Sequence, residues 1–201
     1  MKYYKKLIGE RIYLYPKGVS EEEIEKFTEW MNDFQVTDYT GKSGQIITLV
    51  GEKEWLENSA RNNENRNFNI VDLNEDYRSN GYGTEAIKLL LEYGFKYLNL
   101  HSIKLDLLSI NERAHKCYLK CGFKDTGKNI EEIFLNGKYY DKLHMDILEN
   151  EFEGDYIITF CKLDLAVNSN GAKRNRKNYD LNYCKILVNV LIYRVYLYDI
   201  I

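Results

Sequence analysis

The stretch Asp76-Tyr77-Arg78-Ser79-Asn80-Gly81-Tyr82-Gly83-Thr84-Glu85-Ala86 decides how the rest of this chain is interpreted. This polar, glycine-containing segment runs directly into an apolar, helix-like run, Ile87-Lys88-Leu89-Leu90-Leu91-Glu92-Tyr93-Gly94-Phe95. The first turn of a helix has backbone N–H groups without intrahelical partners, and the helix dipole adds partial positive charge there. Gly81 and Gly83 leave room for a bulky anion to approach these donors, and Arg78 adds a full charge. The stretch therefore predicts a phosphate-binding loop.

Two common phosphate-binding motifs do not fit this stretch. A Walker loop needs Gly-Lys-Ser/Thr, which does not follow here, and the glycines lack the G-x-G-x-x-G spacing of a dinucleotide fold. A nucleotide-phosphate binder of the P-loop kind is therefore disfavoured. Glycines before a helix are often only a turn, so the stretch alone leaves the turn and the phosphate loop equally open.

Strand and helix patterns alternate along the rest of the chain. In order they predict a strand at Arg11–Tyr15, a helix opened by the capping box of Ser20 and Glu23, a helix around Glu52 to Ala60, a strand at Phe68–Leu73, the loop's own helix to about Leu98, a strand at Ile103–Leu107, a helix capped by Asn111, and a β-hairpin turning at Asn136-Gly137. This order predicts an α/β domain with a mixed central sheet flanked by helices.

Composition excludes several functions. The chain has 201 residues, is 44% hydrophobic and carries a net charge of −3, without the basic excess of a nucleic-acid binder. The segment Tyr183–Ile201 is apolar but is interrupted by charged residues, which argues against a membrane span. The N-terminus has no apolar run of signal-peptide length. A cytoplasmic protein that binds neither nucleic acid nor membrane is expected.

The cysteines are expected to be reduced and to bind no metal. They form no C-x-x-C pair, and no histidine completes a zinc-binding spacing around Cys117, Cys121, Cys161 and Cys184. Such thiols behave as small apolar residues in a reducing compartment. His101, His115 and His144 have no partner visible in the sequence, and no catalytic role is assigned to them.

A second segment, Asn111-Glu112-Arg113-Ala114-His115-Lys116-Cys117-Tyr118-Leu119-Lys120-Cys121-Gly122-Phe123, follows the glycine loop after one strand. Together the two segments resemble the acetyl-CoA core of the GCN5-related N-acetyltransferase (GNAT) family. The pattern N-x-x-A-x-x-x-Y-x-K-x-G-F and the later Asn136-Gly137-x-Tyr139 are similar to the ribosomal-protein N-terminal and spermidine acetyltransferase branch. The resemblance covers roughly Ile8 to Leu148.

The resemblance implies an enzyme that transfers acetyl from acetyl-CoA, its co-substrate, to a primary amine. A protein N-terminus, a polyamine or another small amine is the implied acceptor. Tyr118 is implied to protonate the departing CoA thiolate, and Asn111 to contact the cofactor near its pantetheine arm. The implied pyrophosphate-binding loop comprises Arg78, Ser79, Asn80, Gly81, Tyr82, Gly83 and Thr84. From the residues alone, a core aromatic is the favoured interpretation of Tyr118, and helix capping fully explains Asn111.

The chain departs from the family before the loop. The family has three consecutive strands between the second helix and the glycine loop, whereas Ala60–Arg78 holds one strand-sized run. A GNAT-like domain lacking two strands is therefore expected over residues 1–150, followed by an extension of unknown structure over residues 151–201. No clear general base is visible, so a catalytically impaired CoA-binding or structural protein is the alternative.

The end of the extension, Tyr183–Ile201, fits a strand or a helix equally well. Docking onto the core, dimerisation and an unrelated appendage are all open for it. A homodimer is accordingly left open as well.

Overall fold

The computed structural model describes residues 7–16, 19–39, 41–61, 65–72, 81–154, 187–191 and 194–196. The strands are β1 (Leu7–Ile8), β2 (Ile12–Pro16), β3 (Asn65–Asp72), β4 (Ser102–Leu108), β5 (Lys124–Leu135), β6 (Lys138–Leu148), β7 (Leu187–Leu191) and β8 (Arg194–Tyr196). The helices are α1 (Glu21–Met31), α2 (Phe34–Thr37), α3 (Leu49–Arg61), α4 (Tyr82–Glu92) and α5 (Glu112–Lys120). The predicted α/β class is confirmed.

Two sheets carry the fold. The first has the order β1-β2-β3-β7-β8 and the second the order β4-β6-β5, with antiparallel pairing throughout. Side chains of β4 and β6 alternate, so that Ile103, Leu105, Met145 and Ile147 enter the core. The apolar face of α4 packs on the same core through buried residues such as Leu89.

Local sequence signals explain how several elements begin and end. Ser20 Oγ accepts a hydrogen bond from Glu23 N at 3.3 Å, and the Glu23 carboxylate accepts one from Ser20 N at 3.4 Å, so the predicted capping box is confirmed. Asn136 and Gly137 have φ values of 49° and 81°, as the predicted type I′ hairpin turn requires. Gly122 ends α5 with φ of 96°, the left-handed conformation expected after a helix.

Other boundaries differ from the sequence prediction. α3 begins at Leu49, three residues before the predicted start at Glu52. The helix of the glycine loop changes at Tyr93 into a π-helical turn that ends at Tyr97. A wider turn there places Tyr93 against Phe68 of β3, with ring centroids 6.1 Å apart.

The described residues between α3 and α4 form one strand, β3, as the short interval predicted. The edge of β3 that faces away from β2 is paired with β7, from Asn65 opposite Leu191 to Asn69 opposite Leu187. β8 continues this sheet, and its Cα atoms come within 8 Å of those of β4. These parts of the extension are therefore strands and lie on the core.

Residues 155–186, 192–193 and 197–201 of the extension, including the basic stretch Lys173–Lys177, lie outside the described residues. No helix in the described parts of the chain is both long enough and apolar enough to cross a membrane.

Candidate active site

The predicted loop contains a glycine whose backbone conformation other residues rarely adopt. Gly81 is the N-cap of α4 and has φ of 81° and ψ of 10°, in the left-handed region that other residues rarely adopt. Tyr82, Gly83 and Thr84 form the first turn of α4, where backbone N–H groups lack intrahelical acceptors. Arg78, Ser79 and Asn80 lie outside the described residues, so their predicted cofactor contacts stay predictions.

A buried carboxylate fixes the start of α4 to the turn between β1 and β2. Glu85 Oε1 accepts a hydrogen bond from Arg11 N, and Glu85 Oε2 accepts one from Arg11 Nε, both at 2.9 Å. The Arg11 guanidinium also lies 5.0 Å from the centroid of the Tyr82 ring, a cation–π arrangement. Sequence reasoning missed Arg11, because 74 residues separate it from Glu85.

The second predicted motif begins at a well-formed cap. Asn111 Oδ1 accepts a hydrogen bond from Ala114 N at 3.1 Å, and the asparagine is buried at the end of the segment that follows β4. Tyr118, about two helical turns further on, is 1% exposed and packs edge-on against Phe123 with centroids 5.7 Å apart. The core position of Tyr118 is therefore a fact, and its chemical role stays a prediction.

α4 and α5 meet beside the predicted loop. Thr84 Oγ1 lies 3.3 Å from Cys117 Sγ, and the Cys121 thiol lies 3.7 Å from the Thr84 carbonyl oxygen. The structure thus brings together the two segments that carried the family resemblance, across 33 residues of sequence.

A cavity of about 380 Å³ opens at this junction. Thr84 contributes from α4, and the α5 residues around it are Glu112, Arg113, Lys116, Cys117 and Lys120. Three cations face one carboxylate, and Glu112 is itself 3.5 Å from Lys116. The basic residues recur at spacings of three and four, a helical-face signal that sequence reasoning did not use. Such a cavity is suited to a ligand that carries phosphate groups.

The two thiols at the junction have opposite electrostatic environments. A hydrogen bond from Cys121, together with Thr84 and the charges of Lys120 and Arg113, lowers the pKa of Cys117 to about 6 despite its partial burial. The hydrogen bond to Cys117 and burial raise the pKa of Cys121 well above its usual value. Both cysteines are free thiols, and the lowered pKa distinguishes Cys117 from an ordinary thiol.

The histidines pair with carboxylates that the sequence did not reveal. His144 Nδ1 lies 2.6 Å from Asp106 Oδ1, His115 Nε2 lies 2.8 Å from Asp125 Oδ1, and His101 lies 3.5 Å from Glu149. Of the described residues that line the cavity, none is a histidine. The described residues also contain no group of three or more His, Cys, Asp or Glu that could hold a metal ion.

The fold and the site together define a class of protein. An α/β domain in which a glycine loop opens a helix beside a cationic cavity is suited to binding a ligand that carries phosphate groups. Comparison with known proteins identifies that class more closely.

Residues 48–123 match the Acetyltransferase (GNAT) family. The chain is 30% identical over 143 residues to the spermidine N(1)-acetyltransferase of Escherichia coli (strain K12), covering 71% of this chain and 68% of that protein. It is 35% identical over 85 residues to the spermidine N(1)-acetyltransferase of Vibrio cholerae serotype O1, covering 42% and 49%. The crystal structure of spermidine N-acetyltransferase from Vibrio cholerae in complex with CoA and spermine matches with a TM-score of 0.61 at 23% identity, over 70% of this chain and 97% of that one.

The chain belongs to the GNAT acetyltransferase family. It is an acetyl-CoA-dependent N-acetyltransferase, with acetyl-CoA as co-substrate and a small amine as acceptor. The fold and function implied by the sequence resemblance are confirmed.

Proposed function

We propose that this enzyme acetylates a primary amine of a polyamine of the spermidine type, and that acetyl-CoA lies along the junction of α4 and α5. The observation that carries the proposal is the cavity in which Thr84, from the predicted loop, meets three cations of α5. A CoA molecule presents several phosphate charges, and arginine and lysine side chains beside a helix N-terminus are suited to them.

The acidic surface of α1 supports binding of a polyamine acceptor. α1 exposes four glutamates against one partly exposed lysine over eleven residues. Such a surface attracts a flexible polycation, because several carboxylates act on several ammonium groups at once. A protein N-terminus carries only one such group, so this surface favours a polyamine over it.

Asp38 is a candidate ligand for an acceptor ammonium group. Its Oδ2 accepts a hydrogen bond from Asn136 Nδ2 at 3.1 Å, while its buried Oδ1 has no hydrogen-bond partner among the described residues. The following loop reaches the end of β4, because a Cβ at Gly41 would lie 3.5 Å from Leu108 Cδ1. A buried carboxylate oxygen without a donor costs free energy that an ammonium group would recover.

Different residues of the chain are proposed to bind acetyl-CoA and to transfer the proton. The backbone amides of the loop from Arg78 to Thr84 are proposed to hold the pyrophosphate, and the Arg78 side chain is proposed to add a positive charge. Asn111 is proposed to orient the pantetheine arm, and Tyr118 to deliver a proton to the departing sulfur. Acetyl-CoA supplies the acetyl group as a thioester. The position of the general base is left open.

Cofactor binding is tested by thermal unfolding with and without acetyl-CoA, since a ligand that binds only the folded state raises Tm. Gly81→Glu should abolish the shift, because a carboxylate side chain then occupies the anion site. Gly137→Glu is the matched control: this residue also has φ of 81°, but a Cβ there meets nothing within 4 Å. Equal loss of the shift in both variants would count against the site.

Acceptor choice is tested by thiol release with spermidine, with a peptide that has a free N-terminus, and without amine. Turnover with spermidine above the other two supports the proposal, and a preference for the peptide overturns it. Asp38→Asn should raise KM for spermidine about tenfold, as expected for a charge-assisted hydrogen bond. Glu57→Gln, on α3 and paired with Arg61, should leave KM within twofold.

A cytoplasmic location is proposed because the cysteine pattern suits a reducing compartment. A homodimer stays a prediction, and its test is the molecular mass in solution.

A further inference from the structure

We propose that Cys117 is a modification site that forms a mixed disulfide with small anionic disulfides and thereby closes the cavity between α4 and α5. The closing effect rests on the proposed function, since it assumes that acetyl-CoA uses the same cavity. The modification itself does not depend on that assumption.

The geometry presents one sulfur of the pair to solvent. Cys117 lines the cavity and is partly exposed, whereas Cys121 is buried behind it. Thr84 Oγ1, 3.3 Å from Cys117 Sγ, can donate its proton to a thiolate there. The reacting atom therefore has an open approach on one side and hydrogen-bond donors on the other.

Charge around Cys117 favours both a thiolate and an anionic reagent. Arg113, Lys116 and Lys120 line the cavity together with one carboxylate, Glu112. From α4, Lys88 adds a further positive charge that acts on the neighbouring thiol. Exposed charges at this range attract an anion measurably, and salt weakens the attraction.

The two thiols have different roles in the reaction. The lowered pKa of Cys117, caused first by the hydrogen bond from Cys121, keeps it largely ionised at neutral pH. The raised pKa of Cys121 keeps that thiol protonated, so it serves as a donor and is a poor nucleophile. Cys121 is 5% exposed and its sulfur lies 3.7 Å from the Thr84 carbonyl oxygen, so we expect the mixed disulfide to persist until an external thiol removes it.

The reaction needs no further reagent. The Cys117 thiolate attacks one sulfur of R–S–S–R, a new bond forms between that sulfur and Sγ, and the old S–S bond breaks. The second half leaves as RS⁻, so the small disulfide is the oxidant and is itself reduced. Glutathione disulfide and CoA disulfide share the required chemistry, since both carry negative charge.

The test treats the full chain at pH 6 with glutathione disulfide, CoA disulfide or the cationic disulfide cystamine, and locates adducts by peptide mass spectrometry. A pKa near 6 increases the thiolate fraction but lowers its intrinsic nucleophilicity, for a net gain of about tenfold over N-acetylcysteine at this pH. We expect one adduct on the Cys117 peptide, formed several-fold faster with either anionic disulfide than with cystamine. The anionic disulfide that reacts faster is the better source of the group that becomes attached to Cys117.

Single substitutions distinguish the contributions of the reacting thiol, the neighbouring thiol and the positive charges of the cavity. Cys117→Ser should remove the adduct, and Cys121→Ala should move the half-maximal rate from about pH 6 toward the ordinary value for a thiol. Lys120→Gln should reduce the preference for anionic reagents, whereas Lys53→Gln, an exposed lysine on α3, should not. A half-maximal rate near pH 8.5 in the unaltered chain, or equal rates with cystamine, overturns the proposal.

Failure of this inference is distinguishable from failure of the proposed function. An adduct without any acetyl-CoA-dependent rise in Tm would preserve the modification site and remove the cofactor assignment. An acetyl-CoA-dependent rise in Tm without an adduct would support the cofactor assignment and overturn the modification site. With both present, the adduct should abolish the rise in Tm, and dithiothreitol should restore it; persistence of the rise in the modified protein overturns the closing effect.

Discussion

Tyr118 combines a packing role in the core with a proposed chemical role in proton transfer. Its ring is part of the core and packs against Phe123, so any substitution that changes its volume disturbs α5. The hydroxyl is the only part of the side chain that a phenylalanine lacks. A Tyr118→Phe variant therefore separates the chemical role from the structural one.

We expect Tyr118→Phe to lower kcat by about 100-fold, the lower end of the range for general acid catalysis, while the acetyl-CoA-dependent rise in Tm persists. Tyr93→Phe is the matched control, because Tyr93 is another buried tyrosine and belongs to the π-helical turn. An unchanged kcat in Tyr118→Phe would remove the residue from the mechanism. Steady-state kinetics and thermal unfolding supply both readings.

Sequence reasoning at the residue scale worked where the chemistry is local. The cap at Asn111 and the turn at Asn136-Gly137 depend on neighbours a few residues away, and both are confirmed. The ion pair of Arg11 with Glu85 joins segments 74 residues apart, and no short pattern signals such a contact, so it was missed. The lowered pKa of Cys117 arises mainly within α5 and its C-cap, from Cys121 and the charges of Lys120 and Arg113, with Thr84 as the distant contributor. The helical spacing of these residues is visible in the sequence but was not used.

At the scale of elements, the position of α4 depends on few connections. Its apolar face packs on the sheet, and its first turn is tied to the turn between β1 and β2 by the Glu85 carboxylate. The side chain of Glu85 is 5% exposed, whereas that of Arg11 is 40% exposed, so solvent screens the pair on one side only. This connection holds the helix start where phosphate is proposed to bind.

We expect Glu85→Ala to lower the free energy of unfolding by about 2 kcal/mol, because it leaves the Arg11 backbone N–H without its acceptor and removes a partly buried charge pair. The matched control is Glu57→Ala, which removes the partly exposed i, i+4 partner of the exposed Arg61 and should cost about 0.5 kcal/mol or less. Urea unfolding measures both variants. Similar values for the two would show that the Arg11 contact does not stabilise α4.

At the scale of the whole molecule, the sheet is completed from the far end of the chain. The length of the interval before the loop correctly predicted a shortage of strands, because residue counts limit the number of strands directly. What fills the place beside β3 could not be read from Tyr183–Ile201, whose pattern fits a helix and a strand equally. Residues 187–191 form a strand because they pair with β3, and such pairing depends on residues far apart in the sequence.

We expect Asn189→Pro to destabilise the protein by about 3 kcal/mol, because β7 has a neighbour on each edge and a proline there removes a backbone donor. Asn189→Ala keeps the backbone N–H, so the difference between the two variants isolates the strand pairing. Thermal unfolding of both, with and without acetyl-CoA, also reports whether the pairing supports the cofactor site. Equal Tm values for the two variants would contradict the pairing of β7 with β3.

The pairing of β3 with β7 also has a consequence for how the protein is made. About 115 residues separate the end of β3 from the start of β7, and a ribosome needs roughly 6 to 23 seconds to add them. During that time one edge of β3 is exposed on the nascent chain and is able to pair with the same edge of another. The yield of folded protein in the cell should therefore depend on translation speed over this interval and on chaperones that bind the unpaired edge of β3.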